Sequence, residues 1–512
     1  VSSDPLYIEM DFNKKILCLG NNSQDTDTRV TILSEQSNTK NHGLITDINQ
    51  PRIGFGYYHT SIYDLSFSGI LELIKNFDQL IFLDQPKEEW SHSDAFYQTV
   101  QLVKRAEQLI DTVWLNPQFS ADINFFENLV QTNKSFCIFP FIELLVNNEH
   151  TTVCCRSLKP ITRLDAIVDW ATDLEYSTIR QKMLNGELVP EHCATCYKYE
   201  SNGMLSARQQ ETVEWANRLN LKSLEDLVHI QSPSYYEVRP SNICNLQCRT
   251  CNPSNSNLIE KEYIKIGLYP ADQKIEYTDF NFVNFNGLKK LYLAGGEPTA
   301  MPDLYDFLQR CIDENNVDFE FLINTNAVKF SNKLKELFKH FTNLQFVVSI
   351  DGYQQINHYV RWPSDWDTVI ANTHYLIEQG HKVAFNITVS IYTISRLDQL
   401  LKFLDTEFPN MLVHCTLAEY DKDLLIPTNY FDPTLKDRLA EITKLNCYKN
   451  DQLLKSFIDG AISYYAEPKP INVETLKDFF EFNDKLDHSR NIQLKDYIPE
   501  LEEYRNRCYN KV

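Results

Sequence analysis

Between residues 235 and 416, six short apolar runs alternate with helix-length amphipathic segments, and no other feature restricts the fold of this chain so strongly. The strand-like runs are Tyr235–Arg239, Lys290–Leu293, Phe319–Asn324, Phe346–Ile350, Ala384–Val389 and Leu412–Thr416. Between them Leu304–Glu314, Asn332–His340, Trp366–Gln379 and Arg396–Thr406 carry helical spacing. Repeated strand and helix with short turns calls for parallel strands joined by right-handed crossovers. Six such strands suit an open or partial (β/α)6 barrel, an α/β fold whose reactive groups gather at the C-terminal ends of the strands.

At 512 residues the chain is too long for one core, and its text changes at several points. Lys15–Gly20 and Leu80–Asp84 read as strands with a helical stretch, Ile62–Phe77, between them, which predicts a small α/β domain over 1–130. Cys18 in the first of these strands reads as a buried strand residue rather than a ligand. Over 131–232 the chain predicts a hairpin (Phe141–Val146, Asn147-Asn148-Glu149, Thr151–Cys155), a helix over Asp173–Leu184 and a break at Gly186 and Pro190. The loop residues Glu191–Cys196, with a solvated His192, and a polar, exposed helix over Ser206–Asn220 are expected to follow. The barrel is expected over 233–420 and a mostly helical region over 421–512.

Lys and Arg number 49 against 70 Asp and Glu, and a net charge of −21 argues against a polyanion such as duplex nucleic acid as partner. Val1–Gly20 does not read as a secretory signal, and the apolar run Phe136–Val146 is short and holds Glu143, so a soluble, cytoplasmic protein without a membrane span is expected. In a reducing compartment 13 cysteines are not expected to pair as disulfides, which turns attention to metal ligation.

Cys244-Asn-Leu-Gln-Cys248-Arg-Thr-Cys251 places three thiols in the loop that follows the Tyr235–Arg239 strand. A four-iron cluster is normally held by four thiolates, so three leave one iron open. A structural zinc site usually closes with four ligands from paired motifs, and nothing pairs with Cys244 nearby. The next strand ends in Gly295-Gly296-Glu297-Pro298, and the two after it end in Asn324-Thr325-Asn326 and Ser349-Ile350-Asp351-Gly352.

This set resembles the radical S-adenosylmethionine (SAM) superfamily. The resemblance implies a [4Fe-4S] cluster on Cys244, Cys248 and Cys251 whose open iron chelates SAM, and a reduced cluster that cleaves SAM to a 5′-deoxyadenosyl radical. By the same resemblance Gly295, Gly296 and Glu297 would meet the ammonium of the SAM methionine, Asn324 its methionine portion, and Ser349 or Asp351 the ribose. Thr250 departs from the aromatic residue frequent before the last cysteine, so adenine stacking is not expected there.

Cys193-Ala-Thr-Cys196, the adjacent Cys154 and Cys155, and Cys137 form a second group. Their pattern is similar to SPASM/twitch modules, which implies an auxiliary [4Fe-4S] cluster on Cys137, one of Cys154 or Cys155, Cys193 and Cys196, here placed before the barrel; a tetrahedral zinc site suits the same thiols. The resemblance further implies an oxidoreductase or maturase acting on a peptide or protein side chain and supplied with electrons by a donor such as flavodoxin or ferredoxin. A radical SAM enzyme for a small sugar or nucleoside-type metabolite is the alternative, and a non-catalytic iron–sulfur scaffold or sensor the alternative of another class.

Overall fold

The structure is a computed structural model. It describes residues 117–509 apart from 158, 202–204, 273–276, 419–431, 433 and 467–472, together with the backbone of 16–21, 28–33, 59–61, 79–82 and 112–114. The chain divides into two compact units, Val1–Phe141 with Ser177–Gln231 and Ile142–Tyr176 with Ser232–Val512.

The first unit contains a five-stranded sheet ordered β3-β2-β1-β4-β5. Its strands are β1 (Ile16–Asn21), β2 (Thr28–Leu33), β3 (His59–Ser61), β4 (Gln79–Phe82) and β5 (Thr112–Trp114). The strands expected at Lys15–Gly20 and Leu80–Asp84 correspond to β1 and β4, which pair in parallel. The helix expected over Ile62–Phe77 and the side chain of Cys18 lie outside the described residues.

The longer helices that follow are α1 (Pro117–Thr132), α2 (Leu174–Leu184), α3 (Pro190–Ser201) and α4 (Ala207–Arg218). Pro190 opens α3, where a missing N–H costs nothing, so Cys193 and Cys196 lie one turn apart on a helix instead of in the expected loop. His192 is buried on that helix instead of solvated. Ser206 caps α4 in a capping box with Gln209. The expected exposed helix is also half wrong, because α4 buries Arg208, Gln209, Thr212 and Trp215. The reason is Arg208: its guanidinium is held by both oxygens of Glu200 at 2.8 and 2.7 Å and by the carbonyls of Val130, Asn133 and Phe136. A polar sequence can be interior when every donor finds a partner.

The second unit is built on a nine-stranded sheet ordered β16-β15-β13-β12-β11-β9-β6-β7-β8. The six expected parallel strands are present as β9 (Tyr235–Arg239), β11 (Lys290–Leu293), β12 (Glu320–Thr325), β13 (Leu344–Ser349), β15 (Lys382–Val389) and β16 (Leu412–Leu417). The expected hairpin, β6 (Glu143–Asn147) and β7 (His150–Thr152), extends this same sheet. β6 pairs with β9 as a seventh parallel strand, and β8 (Thr162–Arg163) closes the edge. A separate two-stranded ribbon joins β10 (Gln247–Cys248) to β14 (Arg361–Trp362).

Alternation gives the sheet two unlike faces. On β12, Phe321, Ile323 and Thr325 are buried while Glu320, Leu322 and Asn324 are half-buried, and β15 repeats the pattern. The helices α5 (Asn257–Lys265), α6 (Pro302–Asp313), α7 (Asn332–Phe338), α8 (Gln355–Val360), α9 (Trp366–Glu378) and α10 (Leu397–Glu407) follow or connect the strands. α6 buries Leu304, Phe307, Leu308 and Cys311, and α10 buries Leu397, Leu400, Leu401 and Leu404, each an i, i+3, i+4 stripe. The edge-to-face contacts of Phe307 with Phe321 and of Phe338 with Phe346 join α6 to β12 and α7 to β13. Each such fully buried phenylalanine contributes about 1.5–3 kcal/mol.

Beyond β16 the described chain is helical, as expected, with α11 (Leu435–Ile442), α12 (Asn446–Asn450), α13 (Gln452–Tyr464), α14 (Val473–Arg490), α15 (Leu494–Tyr497) and α16 (Pro499–Tyr509). Among the described residues no helix is long and apolar enough to cross a membrane.

Candidate active site

The parallel register brings the ends of β9, β11, β12 and β13 to one edge of the sheet, and the loop from Pro240 to Ser256 runs over it. Side chains hold this loop in place. Asn242 donates to the Pro253 carbonyl at 2.8 Å and to Glu260 at 3.0 Å, and accepts from the hydroxyl of Tyr277 at 2.8 Å. The N–H of Cys244 donates to Asn257 Oδ1 at 3.2 Å, and Ser256 both caps α5 and donates to the Leu246 carbonyl. Short polar residues close to the backbone suit such a loop because they satisfy groups that no ladder can reach.

Cys248 is buried and Cys244 and Cys251 are half-buried on this loop. Burial, and then the neighbouring Cys248, pushes the Cys244 thiol up to about 12. Cys251 is raised by burial and by Cys248 and Cys244, and Cys248 by burial against the opposing charge of Arg361. The three thiols thus sense one another in a dry setting where three thiolates need a cationic group to neutralise them. Among the described residues no three His, Cys, Asp or Glu side chains converge on a point suited to one metal ion. A four-iron cluster makes a different demand, since each ligating iron takes its own thiolate and the ligands stand apart.

The glycine pair supplies the second half of the site. The N–H of Gly296 donates to the Ser241 carbonyl at 3.1 Å and that of Glu297 to the Ile243 carbonyl at 2.8 Å. A Cβ on Gly296 would stand 2.2 Å from the Ile243 oxygen, and Gly295 has φ +106, so only glycine lets this segment lie on the cysteine loop. This cradle beside the three thiols fits the cluster and SAM that the sequence implies.

The carboxylates at the strand ends are committed within the protein. Glu297, 1% exposed, accepts from Thr299 N, Thr299 Oγ1, Thr325 Oγ1 and Asn326 N at 3.1, 2.6, 2.8 and 2.6 Å. Burial raises its pKa while these four bonds pull it down. It therefore ties the end of β11 to the end of β12. Asp351, also 1% exposed, accepts from Arg361 Nη1 and from the N–H of Thr388, both at 2.8 Å. Asn324 and Ser349 sit side by side on the half-buried face, with the hydroxyl donating to Asn324 Oδ1 at 3.1 Å. Asn326 Nδ2 donates to Asn245 of the cysteine loop at 2.7 Å.

Two arginines escaped the reading of the sequence. Arg249, between two of the thiols, is fully buried. It donates to the Tyr359 carbonyl at 3.0 Å and to Asn483 at 2.8 Å, pairs with Asp487, and stacks 3.7 Å over the Tyr359 ring. α14 also grips α5 through Arg490 and Glu262, 2.9 and 2.6 Å apart at the paired atoms. The second is Arg361, the ion-pair partner of Asp351. Its signal was a lone arginine ten residues after Asp351, which no local periodicity singles out.

The second cysteine group has members in both compact units. Cys137, Cys193 and Cys196 are buried in the first unit, where burial and then Cys196 push Cys193 up to about 12, and Cys137 is raised by burial, Cys193 and Cys196. Cys154 and Cys155 belong to the second unit, Cys155 beside Glu237, Glu143 and Arg239.

Residues 238–404 match the sequence model of the Radical SAM superfamily. An uncharacterized protein of Methanothermobacter thermautotrophicus is 24% identical over 183 residues, covering 35% of this chain and 64% of that protein. The GTP 3′,8-cyclase of Aliarcobacter butzleri is 29% identical over 107 residues, 20% of this chain and 30% of the enzyme. Among solved structures, Streptococcus suis SuiB bound to S-adenosylmethionine aligns over 56% of this chain and 59% of its own at 17% identity and a TM-score of 0.29. The enzyme anSMEcpe with bound AdoMet aligns over 44% and 61% at 16% identity and a TM-score of 0.30. The chain spans less than two thirds of the length of each of these proteins. Residues 238–404, with the cysteine loop, the glycine cradle and the parallel strands that carry them, are the part of this chain that matches the radical SAM superfamily, and they form a radical SAM domain.

Proposed function

We propose that this protein is a radical SAM oxidoreductase or maturase that reductively cleaves SAM and abstracts hydrogen from a peptide or protein side chain. The observation that carries the reading is the packing of Gly295-Gly296 onto the loop of Cys244, Cys248 and Cys251 inside the radical SAM domain. Bound there, the cluster would supply the electron and the open iron for SAM cleavage. The three thiols would hold it, the backbone at Gly295-Gly296 would admit SAM close to the loop, and Asn324 and Ser349 would orient it from the half-buried face.

The same face continues away from the site through Tyr292, Asn386 and Thr388, which gives a substrate polar groups to bind while the apolar face is filled by helices. Production of 5′-deoxyadenosine by the anaerobically reconstituted, reduced protein tests the reading, and its absence with an intact cluster would instead favour an iron–sulfur scaffold or sensor. A small sugar or nucleoside-type substrate is the second reading, favoured by the stretch shared with a GTP 3′,8-cyclase. Scoring 5′-deoxyadenosine release against candidate peptides and nucleotides separates the two.

Cys137, Cys193 and Cys196 are inferred to be among the ligands of the auxiliary four-iron cluster, their common burial in one unit being its support. Cys193→Ala with Cys196→Ala should leave reductive SAM cleavage detectable but abolish productive turnover. Stoichiometric zinc, and iron for one cluster only, in the reconstituted full chain would assign these thiols to zinc instead.

A further inference from the structure

Cys248 and Arg361 are directly opposite partners in the antiparallel β10–β14 ribbon. Side chains so placed leave the same face with Cβ atoms about 4.5–5.5 Å apart. The pairing is pinned on one side by the Arg249 N–H, which donates to the Val360 carbonyl at 2.7 Å. Arg361 and Cys248 therefore share one face of the ribbon, and the Arg361 charge acts on Cys248 and reaches Cys244 and Cys251 as well. Behind it lies Asp351, whose one carboxylate oxygen takes Arg361 Nη1 and whose other is fixed by the Thr388 N–H. The pair is dry, with side chains 14% and 1% exposed. Among the described residues the Asp351 charge itself reaches Cys248, Glu297 reaches Cys244 and Arg490 reaches Cys248, but Glu297 is screened by four donors and Arg490 is neutralised by Glu262.

We propose that the Arg361–Asp351 ion pair sets the reduction potential of the cluster held by Cys244, Cys248 and Cys251, with Arg361 a positioning residue whose charge favours the reduced state. The proposal rests on the cluster assignment made above. One-electron reduction adds a negative charge to the cluster. A fixed cation close by stabilises that state, a fixed anion opposes it, and in a dry site neither is screened by water. Asp351 holds the guanidinium in place and offsets part of its effect. Removing one partner leaves the other uncompensated, so the two single substitutions act in opposite directions. A merely structural contact has no such sign.

The test is potentiometric titration of the cluster by electron paramagnetic resonance, without SAM, in anaerobically reconstituted full-length protein whose iron is counted beforehand. R361Q should lower the midpoint potential and D351N should raise it. R361K and the double variant R361Q/D351N should stay near wild type. Should R361Q fail to hold iron, D351N and R361K decide: a rise in the first with none in the second supports the proposal, and no rise in D351N overturns it. Single variants that keep their iron and shift in the same direction, or not at all, overturn the role of the pair alone. A wild-type protein with no reducible cluster would overturn the functional reading instead.

Discussion

Arg249→Ala should unlock the cysteine loop without touching a thiol. The guanidinium is fully buried, pairs with Asp487, donates to Asn483 and to the Tyr359 carbonyl, and lies on the Tyr359 ring. Deleting it leaves the Asp487 carboxylate buried with, among the described residues, the Leu494 N–H and the Tyr359 hydroxyl as its remaining donors, at 2.7 and 2.9 Å. Breaking one side of a buried pair costs about 3–5 kcal/mol, and the ring contact of about 1–2 kcal/mol overlaps with it and is not added, so the expected loss is at least about 3 kcal/mol. At about 1.4 kcal/mol per tenfold, a loss of about 3 kcal/mol raises the population of open loop by roughly a hundredfold or more. Hydrogen exchange reads this directly, as faster exchange of amides in 246–251 and around Asn483 in the apo-protein, with β12 and β13 unchanged. The reconstituted variant should also lose iron from one cluster. Exchange within a few-fold of wild type, with full iron, would refute the idea that α14 braces the loop.

Gly296→Ala places a methyl 2.2 Å from the Ile243 oxygen, so the cradle must open, and SAM affinity should fall by at least about tenfold in an equilibrium titration. Glu297→Gln leaves the Asn326 N–H facing an amide that cannot accept from every side, which should cost about 1–3 kcal/mol in unfolding of the apo-protein, and Thr325→Val, which removes the donor to Glu297 and the acceptor of the Ala327 N–H together, should cost a similar amount. Cys244 has its folded pKa raised to about 12, so its neutral thiol supports folding fully below the unfolded pKa of about 8.5. That support is lost as pH climbs from there towards 12, and denaturant titrations of the apo-protein should show the decline flattened in Cys244→Ser.

The parallel strands, the three-cysteine loop and the glycine pair were legible in the sequence because each is local. Alternation over six residues makes Glu320–Thr325 a strand wherever it lies, three thiols within eight residues share one loop, and two adjacent glycines mark a close approach whatever they approach. Tertiary structure decided what these features touch. Arg249 meets Asn483 and Asp487 across separations of 234 and 238 residues, and Arg490 meets Glu262 across 228. No periodicity encodes such pairs. The same holds for the carboxylates: Glu297 and Asp351 are readable as strand-end acids, but only the fold surrounds them with internal donors. It also joins the hairpin of β6 and β7 to the barrel sheet through main-chain hydrogen bonds to β9, and those bonds depend on which strand edge is open rather than on neighbours in the chain.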